Sequence, residues 1–156
     1  MSGVKKIRVR EAKARDVGLF RKLWADFLQD QAGKGAKVAD SARSLKFFEK
    51  LFEIYVMGAY EGTVLLVADK GILMWGDAGS PIEYKDGKTA MGWGEYVVPV
   101  ENEAEIRDAL ETKAIEILRE QGFKGVTRAV FHADVDDLDD VWEPVSLNVY
   151  RSLEES

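Results

Sequence analysis

The residue types best suited to chemistry lie where an apolar strand leads through a proline into an amphipathic helix. The strand ends at residues 97–100, and the helical pattern begins after Asn102. The first N–H groups of a helix lack internal acceptors and sit at the positive end of the helix dipole, so such a junction can bind phosphate groups. Glu103 and Glu105 stand at the start of this helix, and their carboxylates would repel a phosphate. The junction therefore predicts an anion site that its own side chains weaken.

Other reactive residue types give weaker indications. His132 is the only histidine and the chain has no cysteine, which excludes thiolate sites and multi-histidine metal sites. The acidic run at residues 134–140 is similar to a calcium loop, but it lacks the central glycine and the closing glutamate. We interpret His132 as a surface residue and the acidic run as solvated, and we predict no metal.

Length and composition predict a single domain over residues 1–156, and they predict that the protein is cytoplasmic. The length is enough for a single core, there are no cysteines to form disulfides, and no apolar run is long enough for a membrane helix. The net charge of −6 and the lack of a basic, aromatic-rich surface motif argue against nucleic-acid binding. Basic residues crowd the start and acidic residues crowd positions 134–143. These clusters could attract a phosphate and a cationic partner, or they could simply be solvated faces.

The hydrophobic pattern predicts nine elements in the order β-α-α-β-β-β-α-β-α. The strands are expected at residues 7–10, 64–68, 72–75, 89–98 and 126–131, and the helices from Asp16 to about Gly33, from Asp40 or Ser41 to Glu61-Gly62, at 105–121 and at 145–153. In this interpretation Asp16 caps the first helix. The residues between 76 and 88 are predicted to form a loop or a second turn.

This order predicts an α/β (α+β) fold with a mixed, mostly antiparallel sheet and helices on both faces. The helix at 105–121 should connect two parallel strands, the one at Thr89 and the one at Val126. Ligands of open sheets bind beyond the carboxyl ends of parallel strands, which places the expected site between Val98 and Glu105.

The order of elements and several short segments resemble the GNAT acetyltransferase superfamily, whose members transfer an acyl group from coenzyme A to an amine. The segments that carry this resemblance are Ile7–Ala12 followed by Asp16, Leu65–Trp75, Tyr96–Pro99, Gln121–Val126 and Val149–Leu153. Each segment is a weak motif, and the resemblance depends on their order and spacing. It covers the chain from Ile7 to Leu153.

The resemblance implies a cofactor site for acetyl-CoA, although the pyrophosphate loop is degenerate. Counting from Pro99, Asn102 stands where the family has Arg or Gln, and Glu105 and Arg107 stand at the two glycine positions. The implied cofactor-binding residues are Tyr96, Val97, Val98, Asn102, Glu103, Ala104, Glu105, Ile106 and Arg107. Side chains in place of both glycines hinder the approach of the backbone to a diphosphate.

The resemblance also implies catalytic roles. Glu95 would take a proton from the amine, the amides of Val97 and Val98 would polarise the thioester carbonyl, and Tyr150 would protonate the leaving thiolate. Each residue also has a simpler interpretation. Glu95 would be an exposed strand residue, Val97 and Val98 would belong to an ordinary buried strand, and Tyr150 would pack on the core.

Two functions follow from the resemblance. The first is an N-acyltransferase that moves an acetyl group from acetyl-CoA to an amine of a small molecule or protein by direct attack. The alternative is an inactive GNAT-fold binding or structural module that has lost CoA binding, which the loss of both glycines favours. The expected partner is an amine acceptor, with no nucleic acid and no membrane. A sheet edge after Phe131 could be completed by another chain to give a homodimer.

Overall fold

The computed structural model describes residues 6–35, 42–58, 62–76, 87–128 and 142. The strands in this part of the chain are β1 (Val9–Glu11), β2 (Val64–Ala68), β3 (Gly71–Trp75), β4 (Thr89–Val97) and β5 (Gly125–Arg128), and the helices are α1 (Val17–Gly33), α2 (Ala42–Val56) and α3 (Glu103–Glu120). None of these helices has both the length and the apolar composition needed to cross a lipid bilayer. The predicted helix at 145–153, the acidic run and the cap at Asp40 or Ser41 lie outside the described residues.

The five described strands form one mixed sheet in the order β1-β2-β3-β4-β5. The first four strands pair antiparallel. β4 and β5 pair parallel, from Thr89 opposite Gly125 to Gly92 opposite Arg128, and α3 connects them in the chain. The mostly antiparallel sheet and its one parallel pair agree with the prediction from the sequence.

Helices cover both faces of the sheet, so every residue of β2 and β3 is buried. On one face α3 packs its apolar stripe against Leu66, Leu73 and Trp75. On the other face α1 and α2 pack Phe20 and Phe52 against the sheet, with the two rings 4.7 Å apart. We refer to these surfaces as the α3 face and the α1–α2 face.

An extra residue in β4 changes which way its later side chains point. Met74 lies opposite Gly94, whereas the next residue of β3, Trp75, lies opposite Gly92, so Trp93 is the additional residue of a β-bulge. Ala90, before the bulge, packs into the core on the α3 face. Alternation without an extra residue would put Tyr96 on that same face, yet Tyr96 packs on the α1–α2 face. The bulge therefore turns Glu95, the neighbour of Tyr96, toward α3.

The β2–β3 hairpin shows why Gly71 is a glycine. Lys70 takes the left-handed conformation of the turn, with φ at 64°, although glycine is the usual residue for it. Gly71 lies in β3, where a Cβ atom would come within 3.0 Å of Ile106 and 3.1 Å of Leu110 of α3. Glycine is thus needed at this position for the close approach of α3.

Some element ends differ from the predicted ones. β1 begins at Val9 rather than Ile7, and α3 begins at Glu103, two residues earlier than expected. α2 ends at Val56, because Gly58 adopts a left-handed conformation with φ at 73° and its N–H donates to the Tyr55 carbonyl. The predicted end at Glu61-Gly62 is therefore wrong by about one turn.

Asp16 does not cap α1 as predicted. It closes a short 3-10 turn, Ala14–Asp16, that precedes the helix. Its carboxylate accepts the backbone N–H of Lys13 at 2.8 Å and also pairs with Arg10. The side chain therefore stabilises the turn that leads into α1 rather than the first N–H groups of α1 itself.

Candidate active site

Glu95 is a buried carboxylate in the middle of the sheet. It lies opposite Leu73 on β3, and only 6% of its side chain is exposed. Neither carboxylate oxygen accepts a well-aligned hydrogen bond from a described residue. Buried polar atoms are seldom left without hydrogen bonds, and both oxygens are sealed from solvent in this structure, so a water or an amine would reach them only after a local rearrangement.

An arginine and a second glutamate lie beside Glu95. Arg128 ends β5 and contacts both acids: its Nε atom lies 2.8 Å from Glu95 Oε1, and its Nη1 atom lies 3.3 Å from Glu111 Oε2. Glu111 comes from α3, and the side chains of Arg128 and Glu111 are each 14% exposed. One cation thus serves two carboxylates from two different elements.

Burial raises the pKa of Glu95 to about 8, because the charged form loses its hydration. The positive charge of Arg128 opposes this rise, while the negative charge of Glu111 adds to the rise. Arg107 of α3 also stabilises the charged form. With this pKa Glu95 is mostly protonated at pH 7, and the ionised form, which can accept a proton from an amine, predominates only above about pH 8.

Trp75 and Trp142 border the pair formed by Glu95 and Arg128. Trp75 is fully buried on the α3 face, and its indole N–H has no acceptor among the described residues. Trp75 lies opposite Gly92, and Gly92 lies opposite Arg128, so these residues form a row across three strands. The guanidinium of Arg128 also lies over the ring of Trp142, 5.5 Å from its centre.

The start of α3 offers two unpaired backbone donors. The N–H of Glu103 donates to Val100 and that of Ile106 donates to Asn102, each at 3.1 Å. The N–H groups of Ala104 and Glu105 have no acceptor among the described residues, and the Asn102 side chain forms no cap. These two N–H groups at the positive end of α3 could hold a diphosphate oxygen.

The structure restricts the cofactor-binding residues that the sequence suggested. The N–H of Val98 donates to the Lys70 carbonyl at 2.8 Å, so it is used within the sheet and is not free to polarise a carbonyl. Alternation along an antiparallel strand turns the N–H of Tyr96 toward β3 as well, and that of Val97 toward the opposite edge. Val97 is the valine whose amide can serve this role.

Ile106 is also unsuited to direct cofactor contact. Its side chain is only 3% exposed in the core under α3, and its N–H is already paired with Asn102. The charged residues at the start of α3 remain candidates for cofactor contact, since Glu105 is exposed and Glu103 and Arg107 are half-buried.

Tyr96 and Tyr150 are the two tyrosines among the predicted site residues. The ring of Tyr96 lies 5.8 Å from that of Phe27 in an edge-on arrangement. It packs on the α1–α2 face, whereas Glu95 points to the α3 face. Burial raises the pKa of its phenol, and the carboxylates of Asp30 and Asp26 add to the rise. Tyr150 and His132 lie outside the described residues.

Arg128 and Glu111 were not predicted from the sequence as partners of Glu95. Two signals could have found them. Arg128 alternates with Val126, an apolar residue of the core on the α3 face, so its charge points inward. Glu111 follows Arg107 by four residues and therefore shares its side of α3.

The chain matches solved acetyltransferase structures in fold, whereas no family model and no curated protein sequence matches it. A protein of Clostridium acetobutylicum described as a predicted acetyltransferase, solved with acetyl-CoA, has a TM-score of 0.63 and 14% identity, with 92% of this chain and 96% of that one covered. An aminoglycoside N-acetyltransferase in complex with CoA has a TM-score of 0.64 and 11% identity, with 98% of this chain and 99% of that one covered.

An aminoglycoside acetyltransferase from an uncultured soil metagenomic sample, solved with sisomicin, gives a TM-score of 0.62 and 17% identity, with 95% and 97% of the two chains covered. Identities this low show a common fold and nothing finer. The fold that the sequence resemblance predicted, that of the GNAT acetyltransferases, is confirmed.

Proposed function

We propose that this protein is an N-acetyltransferase that moves an acetyl group from acetyl-CoA to an amine by direct attack. The observation that carries the proposal is the buried carboxylate of Glu95, which is ion-paired with Arg128 but accepts no aligned hydrogen bond, and whose pKa is raised to about 8 by burial. An attacking amine requires a proton acceptor, because its nitrogen loses a proton as the amide forms, and Glu95 can act as that acceptor in its ionised form.

The residues of this chain would divide the work in the following way. Bound acetyl-CoA supplies the acyl thioester. Glu95 takes the proton that the amine nitrogen loses as its bond to the acyl carbon forms, either directly or through a water. The N–H of Val97 donates to the carbonyl oxygen as negative charge develops there. Tyr150 supplies the proton that the departing sulfur gains, so that a neutral amide and a free thiol result.

The N–H groups of Ala104 and Glu105 fit the diphosphate of CoA, since they are unpaired and lie at the positive end of a helix. The carboxylates of Glu103 and Glu105 oppose the same group, and each costs about 1 kcal/mol at 4 Å in water. Weak cofactor affinity is the expected result.

Neutral Gln at position 95 provides the direct test. The variant Glu95→Gln should bind acetyl-CoA as the wild type does but lose about 100-fold or more of its transfer rate. Calorimetry measures the binding, and release of free thiol with a panel of amines, sisomicin among them, measures the transfer. Glu120→Gln, at the far end of α3, is the matched control. A wild-type rate in Glu95→Gln would remove Glu95 from the reaction.

The carboxylates of Glu103 and Glu105, which oppose a bound diphosphate, favour a second candidate function, a GNAT-fold binding module without CoA. Glu105 replaces a glycine that the family uses for close backbone approach, and its side chain is exposed at the mouth of the site. Ligand at 100 times its Kd stabilises a protein by about 2.7 kcal/mol. Unfolding that is unchanged by millimolar acetyl-CoA would support the module and exclude the enzyme.

A further inference from the structure

Arg128 lies between two acids that come from different elements. Glu95 belongs to β4 and Glu111 to α3, and Arg128 reaches both from β5 with separate nitrogen atoms, Nε and Nη1. A guanidinium presents its donors in a fixed planar fork, so one arginine can bridge two carboxylates that a lysine ammonium could hold only as a point charge.

The surroundings restrict the movement of Arg128. Its side chain is 14% exposed, and its guanidinium lies over the ring of Trp142. Gly92 is its partner in the β4–β5 ladder, so the strand that carries Glu95 also fixes the backbone of Arg128. A contact made by a restrained side chain can orient its partner, because little conformational freedom remains to be lost.

The contact between Arg128 and Glu95 is a buried ion pair without an aligned hydrogen bond. The Nε–Oε1 distance is 2.8 Å, yet the approach is not aligned as a hydrogen bond, and Oε1 and Oε2 still have no hydrogen-bonding partner. Arg128 therefore places its positive charge beside Oε1 without an aligned hydrogen bond to either oxygen.

We infer that Arg128 is a positioning residue that holds the Glu95 carboxylate in place and is itself held by Glu111 of α3. This inference rests on the proposed function, since it assigns a role to the surroundings of the proposed base. The charged groups around Glu95 are Arg128 from β5 and Glu111 and Arg107 from α3, while its partner on β3, Leu73, is apolar. Removing the cation and removing the second acid should thus have opposite effects on Glu95.

The titration of Glu95 is the test. Proteins labelled with 13C at the glutamate carboxyl carbons are titrated by NMR, and the Glu95 signal is assigned by its absence in Glu95→Gln. We expect Arg128→Gln to raise the midpoint of Glu95 by about one pH unit or more and Glu111→Gln to lower it. The acidic limb of the kcat profile should move in the same two directions.

Shifts of the Glu95 midpoint in opposite directions distinguish positioning from a merely structural role, because a loss of packing would destabilise the Arg128 and Glu111 variants alike. Arg128→Lys keeps the charge and should shift the midpoint less than Arg128→Gln. If Arg128→Gln does not fold, the comparison of Arg128→Lys and Glu111→Gln with the wild type decides. Arg119→Gln, on the exposed end of α3, is the matched control and should leave the midpoint unchanged.

Unchanged midpoints in the Arg128 and Glu111 variants, or shifts in one common direction, would overturn the inference. Failure of the proposed function is a different result, since the wild type would then transfer no acetyl group while the midpoints still shifted in opposite directions. That result would keep the electrostatic link between the three residues and withdraw the catalytic role of Glu95.

Discussion

Arg10 and Asp16 form a two-point ion pair in which Nη1 donates to Oδ2 at 2.9 Å and Nη2 donates to Oδ1 at 2.8 Å. Asp16 is 8% exposed, and Arg10 is about half exposed. The pair joins β1 to the 3-10 turn before α1, so it connects the edge of the sheet to the α1–α2 layer.

Replacement of Asp16 by Asn should destabilise the protein by about 1 to 2 kcal/mol, after allowance for the solvent around Arg10. Hydrogen bonding by Arg10 lowers the pKa of Asp16 to about 2. Because this value lies below the ordinary 3.8, the contribution is present above about pH 4 and is lost as the pH falls toward 2. Urea unfolding at pH 7 and pH 3 measures it.

Glu49→Gln is the control for Asp16→Asn. Glu49 pairs with Arg21 at the same distance, 2.8 Å, but both side chains are more exposed, at 29% and 56%. Its loss should change the free energy of unfolding by less than about 0.5 kcal/mol. Equal effects of the two substitutions would show that burial does not strengthen the Arg10–Asp16 pair.

Glu95 should make the protein less stable as the pH rises from about 5 to about 8. Its folded pKa lies above the ordinary 4.5, so in this range the native state keeps a proton that the unfolded chain releases. Glu95→Gln removes this proton exchange, and its free energy of unfolding should fall less steeply over the same range. Comparing the slopes of the two proteins cancels the contributions of all titratable groups that both contain. If the free energies of unfolding of the wild type and Glu95→Gln changed with pH in parallel, the raised pKa of Glu95 would be contradicted.

Gly92→Ala should destabilise the protein by about 1 to 3 kcal/mol through overpacking. A Cβ at this position would lie 2.7 Å from Cε2 of the fully buried Trp75. Gly18→Ala in α1 is the matched substitution, since its Cβ would have no atom within 4 Å, and it should stabilise the helix by about 0.5 to 1 kcal/mol. Opposite signs in urea unfolding are the expected result, and a neutral Gly92→Ala would mean that the indole can move aside.

Glu105→Gln should increase the affinity for CoA by about fivefold, which corresponds to about 1 kcal/mol of repulsion removed from the diphosphate. Glu120→Gln, at the negative end of the same helix, removes an equal charge far from the proposed site and should have little effect. Calorimetry with CoA compares the two. An equal gain in both variants would indicate a general effect of net charge rather than a local diphosphate site.

Hydrophobic spacing predicted most of the fold because the buried face of each element repeats with the period of its backbone. The apolar stripe of α3, which includes Leu110 and Ala114, is such a case, as is the continuous apolar run of β2. The predicted ends of the helices and strands were less accurate, since each end depends on the hydrogen bonds of individual side chains and turn residues. Asp16 met the requirements of a helix cap, but its carboxylate is satisfied by Lys13 and Arg10 instead.

Local pattern could not predict the surroundings of Glu95. The bulge at Trp93 reverses the alternation of β4, and no residue type in the glycine-flanked segment 92–94 specifies on which side of it the extra residue falls. Arg128 and Glu111 are far from Glu95 in the chain and meet it only through the β4–β5 pairing and the packing of α3. The resemblance identified the strand that carries the candidate base, and the tertiary structure was needed to identify its neighbours.

The added residue in β4 makes the chemistry of this protein depend on a count rather than on an identity. If Trp93 were paired within the ladder and the bulge were lost, the phenol of Tyr96 would turn toward the ionic cluster beneath α3, and the carboxylate of Glu95 would turn toward the aromatic layer formed by α1 and α2. Deleting Trp93 would instead leave both side chains on their present faces, because Gly92 and Gly94 would become consecutive partners of Trp75 and Met74. The placement of Glu95 therefore depends on how many residues between Ala90 and Glu95 are paired with β3.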